Sequence, residues 1–327
     1  MTDSTDKALP APKSKFRLDG LDLFRGLALF AMATYHLAWD LELFGYLDPG
    51  TANHGWLKIY ARSIAASFLF VAGASLALAY SAGLRPRAYI KRLVTIVAAA
   101  ALITIATIFA TPDAFIFFGI LHAIAAASVI GLLFLRLPGL VALLAGVACL
   151  ILPQLYGNEV FNTIWLYWVG LSTIPPRAND YVPLLPWLGP FLIGLGCAQL
   201  ALRYGLVARL ARYRAGNNLM TRVLRLSSRH SLAFYLLHQP VLIALVWSFA
   251  QLAPAQTPDP LPRFISKCEA SCARDNDANF CTRFCGCVTD ELLSRSMFDG
   301  FVAGTITPDT DSRVNVIAEQ CTAKALP

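Results

Sequence analysis

The sequence predicts an all-α protein: a polytopic transmembrane helix bundle of about seven spans, followed by a small disulfide-rich helical tail. Three observations predict it. Only 14% of the 327 residues are charged and 57% are hydrophobic, against roughly 25% charged in an ordinary soluble domain. Several stretches reach the roughly 20 apolar residues that cross ~30 Å of hydrocarbon at ~1.5 Å per residue. Six of the eight cysteines, Cys268 to Cys321, fall after the last such stretch. A backbone in lipid must satisfy its own polar groups as a helix or a closed barrel. Barrel strands would alternate polar and apolar residues, and these runs do not.

The spans are expected at about 21–43, 60–82, 93–111, 115–135, 139–156, 186–204 and 230–252. This divides the chain into an N-terminal segment 1–17, a membrane domain 18–252 and a tail 253–327. The mean hydropathy is +0.56. The formal charge of +7 is not spread evenly, since ten acids face seven bases after Ala253 and the basic excess lies in the membrane part. Lys7, Lys13, Lys15 and Arg17 precede the first span, and Arg85, Arg87, Lys91 and Arg92 crowd the second connection. Arg136 follows the fourth span, and seven arginines from Arg203 to Arg229 fill the sixth connection. The intervening loops hold only Lys58 and Arg177. Basic loops on alternate connections report orientation, not nucleic-acid binding. They predict an inner-membrane protein with a cytoplasmic N-terminus and, after an odd number of spans, a tail on the outer side. The polar N-terminus gives no sign of a cleavable leader. The basic stretch Leu206–Leu226 is expected to lie on the inner membrane surface.

Ionisable groups at membrane depth are costly and mark candidate sites. In the first span Asp22, Arg25, His36 and Asp40 fall within roughly 60° of one another at ~100° per residue. That stripe must face the bundle interior or an aqueous cavity. It could be structural, with Asp22 on Arg25 and His36 on Asp40 at helical spacing. For His36 the chemical reading is stronger, because imidazole titrates near neutrality and Asp40 could orient it or raise its basicity. In the second span Gly73, Ala77 and Ser81 form a small-residue row that marks close helix packing. His122 sits near the start of the fourth span, as a site residue or as a bond to a neighbouring helix. The loop 157–185 holds Trp165, Tyr167, Trp168 and Tyr181, with Trp187 just beyond. These form an interfacial aromatic belt or a stacking surface for a sugar ring. In the last span Ser231, Tyr235 and His238 share a face, and Pro240 cannot donate to the Leu236 carbonyl, so a kink is expected there.

Cys149 and Cys197 lie within spans and read as small apolar side chains. Cys268 and Cys272, like Cys281 and Cys285, are four apart and share a helical face, with Asp275, Asn276 and Asp277 suiting a turn between them. Spacing favours Cys268–Cys285 and Cys272–Cys281, leaving Cys287–Cys321. A zinc site is the rival. An oxidising compartment and the lack of any histidine after His238 favour disulfides and no metal.

Five segments in order resemble one family. They are Arg17-Leu-Asp-Gly-Leu-Asp-Leu-Phe-Arg-Gly-Leu-Ala-Leu with Tyr35-His36, Phe68-Leu-Phe-Val-Ala-Gly73, Phe118-Gly-Ile-Leu-His122, Asp180-Tyr-Val-Pro-Leu-Leu-Pro-Trp-Leu-Gly189, and Arg229-His-Ser-Leu-Ala-Phe-Tyr-Leu-Leu-His-Gln-Pro240. The chain resembles bacterial proteins of the heparan-alpha-glucosaminide N-acetyltransferase catalytic-domain family over about 17–250. The resemblance implies transmembrane acyl transfer from cytoplasmic acetyl-CoA, used as a substrate and not held as a permanent cofactor. The acceptor would be an amine or hydroxyl of an extracytoplasmic glycan or amino-sugar.

Arg25 and His36 also match the spacing of an arginine and histidine in the first span of bacterial membrane O-acyltransferases. That match implies an acyl-CoA contact at Arg25, beside Asp22, and a base at His36. Lysosomal members place their histidine in the loop after the first core span, where His54 is nearest here, so His36 and His54 both stand as candidates. Asp40 and His238 complete the expected catalytic set. His122, Trp165, Trp168, Asp180, Trp187 and Tyr235 are the expected acceptor-side residues. A proton-coupled carrier using His36, Asp40 and His238, and a non-catalytic scaffold presenting the tail, are the alternatives. Homo-oligomerisation is left open.

Overall fold

The computed structural model describes residues 18–48, 50–81, 83, 85–255, 260–273 and 276–326. The N-terminal segment 1–17 and Asp275 of the expected tail turn lie outside the described residues. The chain divides into two compact units, one ending at Ala253 and one beginning at Pro254. Among the described residues both are built from helices, with no strand.

The first unit contains α1 (Asp19–Leu43), α2 (Gly55–Ser81), α3 (Pro86–Ala110), α4 (Ile120–Phe134) and α5 (Gly139–Leu155). After a long loop come α6 (Leu184–Arg203), the short α7 (Leu206–Leu210), α8 (Leu219–Arg229) and α9 (Ser231–Leu252). Four of them, α2, α3, α6 and α9, are long and apolar enough to cross a membrane, while α4 and α5 are shorter apolar helices. At 25 residues α1 has the length but carries Asp19, Asp22, Arg25, Asp40 and Glu42.

The differences from expectation are local. Helix α3 starts at Pro86, because a proline at the first turn has its φ pre-set and lacks only an N–H that would be unpaired there. Helix α4 starts later than expected, at Ile120. The preceding residues form a 3-10 turn, Pro112–Ala114, and an irregular stretch beside the long loop, where Asn179 N donates to Ala114 O at 2.9 Å and Val182 N to Phe118 O at 3.0 Å. Backbone groups paired across to another segment are not available for a helix. Helix α9 is continuous through Pro240.

The bundle is organised around α6. A methyl group added at Gly73 would sit 1.9 Å from the Phe191 carbonyl oxygen, and one at Gly194 would sit 2.1 Å from that of Phe70. On the other side, a Cβ at Gly196 would lie 2.6 Å from the carbonyl oxygen of Gly139. The backbones of α2 and α5 therefore approach α6 where only glycine fits, the packing mode that serves where lipid removes the hydrophobic drive between helices. Around these crossings Leu69, Phe191, Leu192 and Leu195 are fully buried. The row Gly73, Ala77, Ser81 is buried at its first two members and exposed at Ser81.

The second unit contains α10 (Pro260–Cys272), α11 (Ala278–Ser294), α12 (Phe298–Val302) and α13 (Ser312–Ala325). Asp277 starts α11 by accepting from the backbone N–H of Asn279 and Phe280 at 2.9 and 3.0 Å. Three disulfides join Cys268 to Cys285, Cys272 to Cys281 and Cys287 to Cys321, taking up the thiolates that a zinc site would use. Leu292, Met297, Phe298, Val314, Ile317 and Cys321 form its core.

Candidate functional site

Polar groups gather at three levels, and helix α1 carries those of the first two. At the end near the basic connections, Asp19 is 8% exposed and pairs with Arg214 and Arg225 at 3.7 and 3.8 Å. One turn further on, Arg25 lies 3.7 Å from Asp22 and its Nη2 donates to Ser75 Oγ of α2 at 2.9 Å. The expected i, i+3 pair is therefore present, and Arg25 also reaches a second helix.

The middle level joins α1 to α9. The rings of His36 and His238 stand 5.0 Å apart, edge to face. Asp40, with no exposed surface, accepts from Gln239 Nε2 at 2.7 Å. Asp40 thus turns to Gln239 across the helix interface instead of to His36 on its own helix. His238 Nδ1 lies 2.7 Å from the Tyr235 carbonyl oxygen. A carbonyl can only accept, so Nδ1 carries the proton and the neutral ring keeps its lone pair at Nε2. That Nε2 is buried without a partner, as are Asp40 Oδ2 and Gln239 Oε1. Three orphaned polar atoms on the facing residues of α1 and α9 are costly unless something binds them.

The third level lies at the long-loop end. Asp180 Oδ2 accepts from Ile120 N at 2.9 Å, at the start of α4. A carboxylate suits the exposed N–H groups there. His122 Nδ1 accepts from Gly119 N at 3.2 Å, and its Nε2 faces Thr104 Oγ1 at 3.4 Å. Both nitrogens are engaged, so His122 works as a helix cap, in contrast to His238. His122, Asp180 and Tyr235 nonetheless line one small cleft.

The remaining expected residues separate. His54 is exposed, with Nδ1 donating to Gly50 O at 2.7 Å. Trp165 is 84% exposed. Trp168 Nε1 donates to the Trp165 carbonyl, and its ring lies 6.1 Å from Phe118. Trp187 packs against the bundle core. The tryptophans therefore do not converge on one stacking surface.

Gln239 and Glu42 were not foreseen. The Glu42 carboxylate accepts from Gly50 N and Ala52 N at 2.5 and 2.8 Å, fixing the loop after α1. Nothing in the sequence signals that role. Gln239 was signalled only by its place between His238 and Pro240.

An all-helical membrane protein with an internal polar core containing two histidines, followed by a disulfide-bonded unit, is the class that fold and site define. The family model described as heparan-alpha-glucosaminide N-acetyltransferase, catalytic, matches residues 17–240. The chain belongs to that family. No curated protein and no solved structure matches it.

Proposed function

We propose that the first unit crosses the membrane about seven times and transfers an acetyl group. The donor is cytoplasmic acetyl-CoA and the acceptor an amine or hydroxyl of an extracytoplasmic glycan. The observation that carries this reading is the His36–His238 pair, with the lone pair of His238 Nε2 buried and unpartnered. As the acceptor's N–H or O–H attacks the thioester carbonyl, its proton passes to Nε2 of His238. The C–S bond then breaks, and the same proton leaves with coenzyme A as the free thiol. Gln239 holds Asp40 at the same α1–α9 interface, where its carboxylate would favour an imidazolium. At the basic end Arg25, fixed by Ser75 and Asp22, is suited to the donor's phosphates or pantetheine. The basic connections support a reading in which that end, and the N-terminus, face the cytoplasm of a bacterial inner membrane, with the second unit in the periplasm.

Purified protein in nanodiscs, given radiolabelled acetyl-CoA and an amino-sugar, tests the reading. His36→Ala and His238→Ala should each lower label transfer by about 10²–10⁴-fold, the range for a lost general base. His54→Ala should leave transfer near wild type. Full transfer in both His36→Ala and His238→Ala would remove the site assignment. Proton-coupled movement of a substrate without label transfer would favour the carrier.

A further inference from the structure

Helix α8 is built the wrong way round for a helix in water. The residues it turns toward the protein are Thr221, Leu224, Arg225 and Ser228, and those it turns away include Leu219, Met220, Val223 and Leu226. At ~100° per residue the four outward apolar side chains occupy an arc of about 120°. Leu219 is 77% exposed and Met220 69%. The inward side is firmly held. Arg225 pairs with Asp19 at 3.8 Å and donates to the Ala215 carbonyl at 2.8 Å. Gly26 of α1 meets the Leu224 carbonyl so closely that a Cβ there would be 2.4 Å from the oxygen. The helix cannot roll to hide its apolar face without breaking these contacts.

We infer that α8 lies in the membrane interface, its apolar face in acyl chains and its free arginines on the phosphates of anionic lipids. Charge complementarity identifies the occupant. Arg222 and Arg229 border the apolar arc on one edge, and both are exposed. Arg209 and Arg212 precede them, and among the described residues none of these four has a carboxylate partner. The sequence holds no acid from Arg203 to His230. An apolar stripe edged by arginines matches acyl chains beneath anionic headgroups. Transferase activity is not needed for this inference, which stands on the geometry of α8 alone.

The test uses the full chain in nanodiscs, with Cys149→Ser and Cys197→Ser and the tail disulfides intact. A nitroxide is placed by Met220→Cys or, in the exposed loop, by Gly216→Cys. At Met220 relaxation by oxygen should exceed relaxation by a water-soluble nickel chelate, with the reverse at Gly216. Nickel access at Met220 equal to that at Gly216 overturns the inference. So does shielding of Met220 from both relaxants, which would mean a second copy or another protein covers the face. In detergent, phosphatidylglycerol should raise the melting temperature more than phosphatidylcholine does. Arg222→Gln with Arg229→Gln should lose most of that gain, and Arg136→Gln should keep it. An equal gain in the double variant removes the headgroup site.

Discussion

The two units solve the same problem, holding helices together, by opposite means. In the first unit the crossings of α2 and α5 with α6 are made by glycines that bring backbone onto backbone, and its polar pairs concentrate along α1. In the second, three disulfides and a core of a few apolar side chains join short helices. The solvent explains the difference. Lipid is as apolar as leucine, so helices there gain by fit and not by burial. In water burial does drive folding, but so short a unit buries too little to be secure without covalent staples.

The comparison can be broken in steps, beginning where the expected effect is largest. Opening the Cys287–Cys321 bridge, which closes a 34-residue separation, with Cys287→Ser and Cys321→Ser should cost the second unit about 3–4 kcal/mol. Hydrogen exchange of α13 in the full chain measures it, and unchanged protection would show that the apolar core suffices. Gly73→Ala forces a Cβ onto the Phe191 carbonyl and should cost about 1–3 kcal/mol, read as a lower melting temperature of the first unit. Gly216→Ala, where a Cβ meets nothing within 4 Å, is the control and should change little.

Asp277→Ala removes the cap of α11 and should cost about 1 kcal/mol, visible as faster exchange in its first turn. The smallest effect is electrostatic. Side-chain bonds from Arg295 and Lys324 hold Glu291 below the ordinary glutamate value of 4.5. A carboxylate depressed on folding lends stability above its unfolded pKa and loses it as pH falls through the lower folded value. Acid titration of the second unit should therefore weaken it below about pH 4.5, and Glu291→Gln should remove that part of the slope. An identical slope in the variant would show that the contact is too exposed to matter.

The helices were legible in the sequence because each is a long apolar run with polar or proline punctuation, and all seven expected spans have a helix in their place. The start of α4 was not, because Ala114 and Phe118 give their carbonyls to Asn179 and Val182, a pairing between segments remote in sequence. The inward face of α1 could be read from periodicity, since Arg25, His36 and Asp40 recur at one azimuth. Their partners could not. Helical spacing offered Asp40 to His36, and the fold gave it to Gln239, because which helix lies beside α1 is a tertiary fact. Spacing put His238 on a face with Ser231 and Tyr235 and left His122 alone, but it said nothing of which ring nitrogens are engaged. Only hydrogen-bond geometry separates the one with both nitrogens occupied from the one with a bare lone pair.

The two bridges between α10 and α11 are nested, Cys272–Cys281 inside Cys268–Cys285, so they behave as rungs of a ladder. Joining Cys268 to Cys281 instead would require one helix to slide past the other by a turn, ~6 Å for four residues. Joining Cys272 to Cys285 would require the same slide in the opposite direction. No single displacement makes both crossed rungs. Oxidation of this hairpin is thus a check on alignment: once one correct rung has formed, the remaining pair of sulfurs is already face to face.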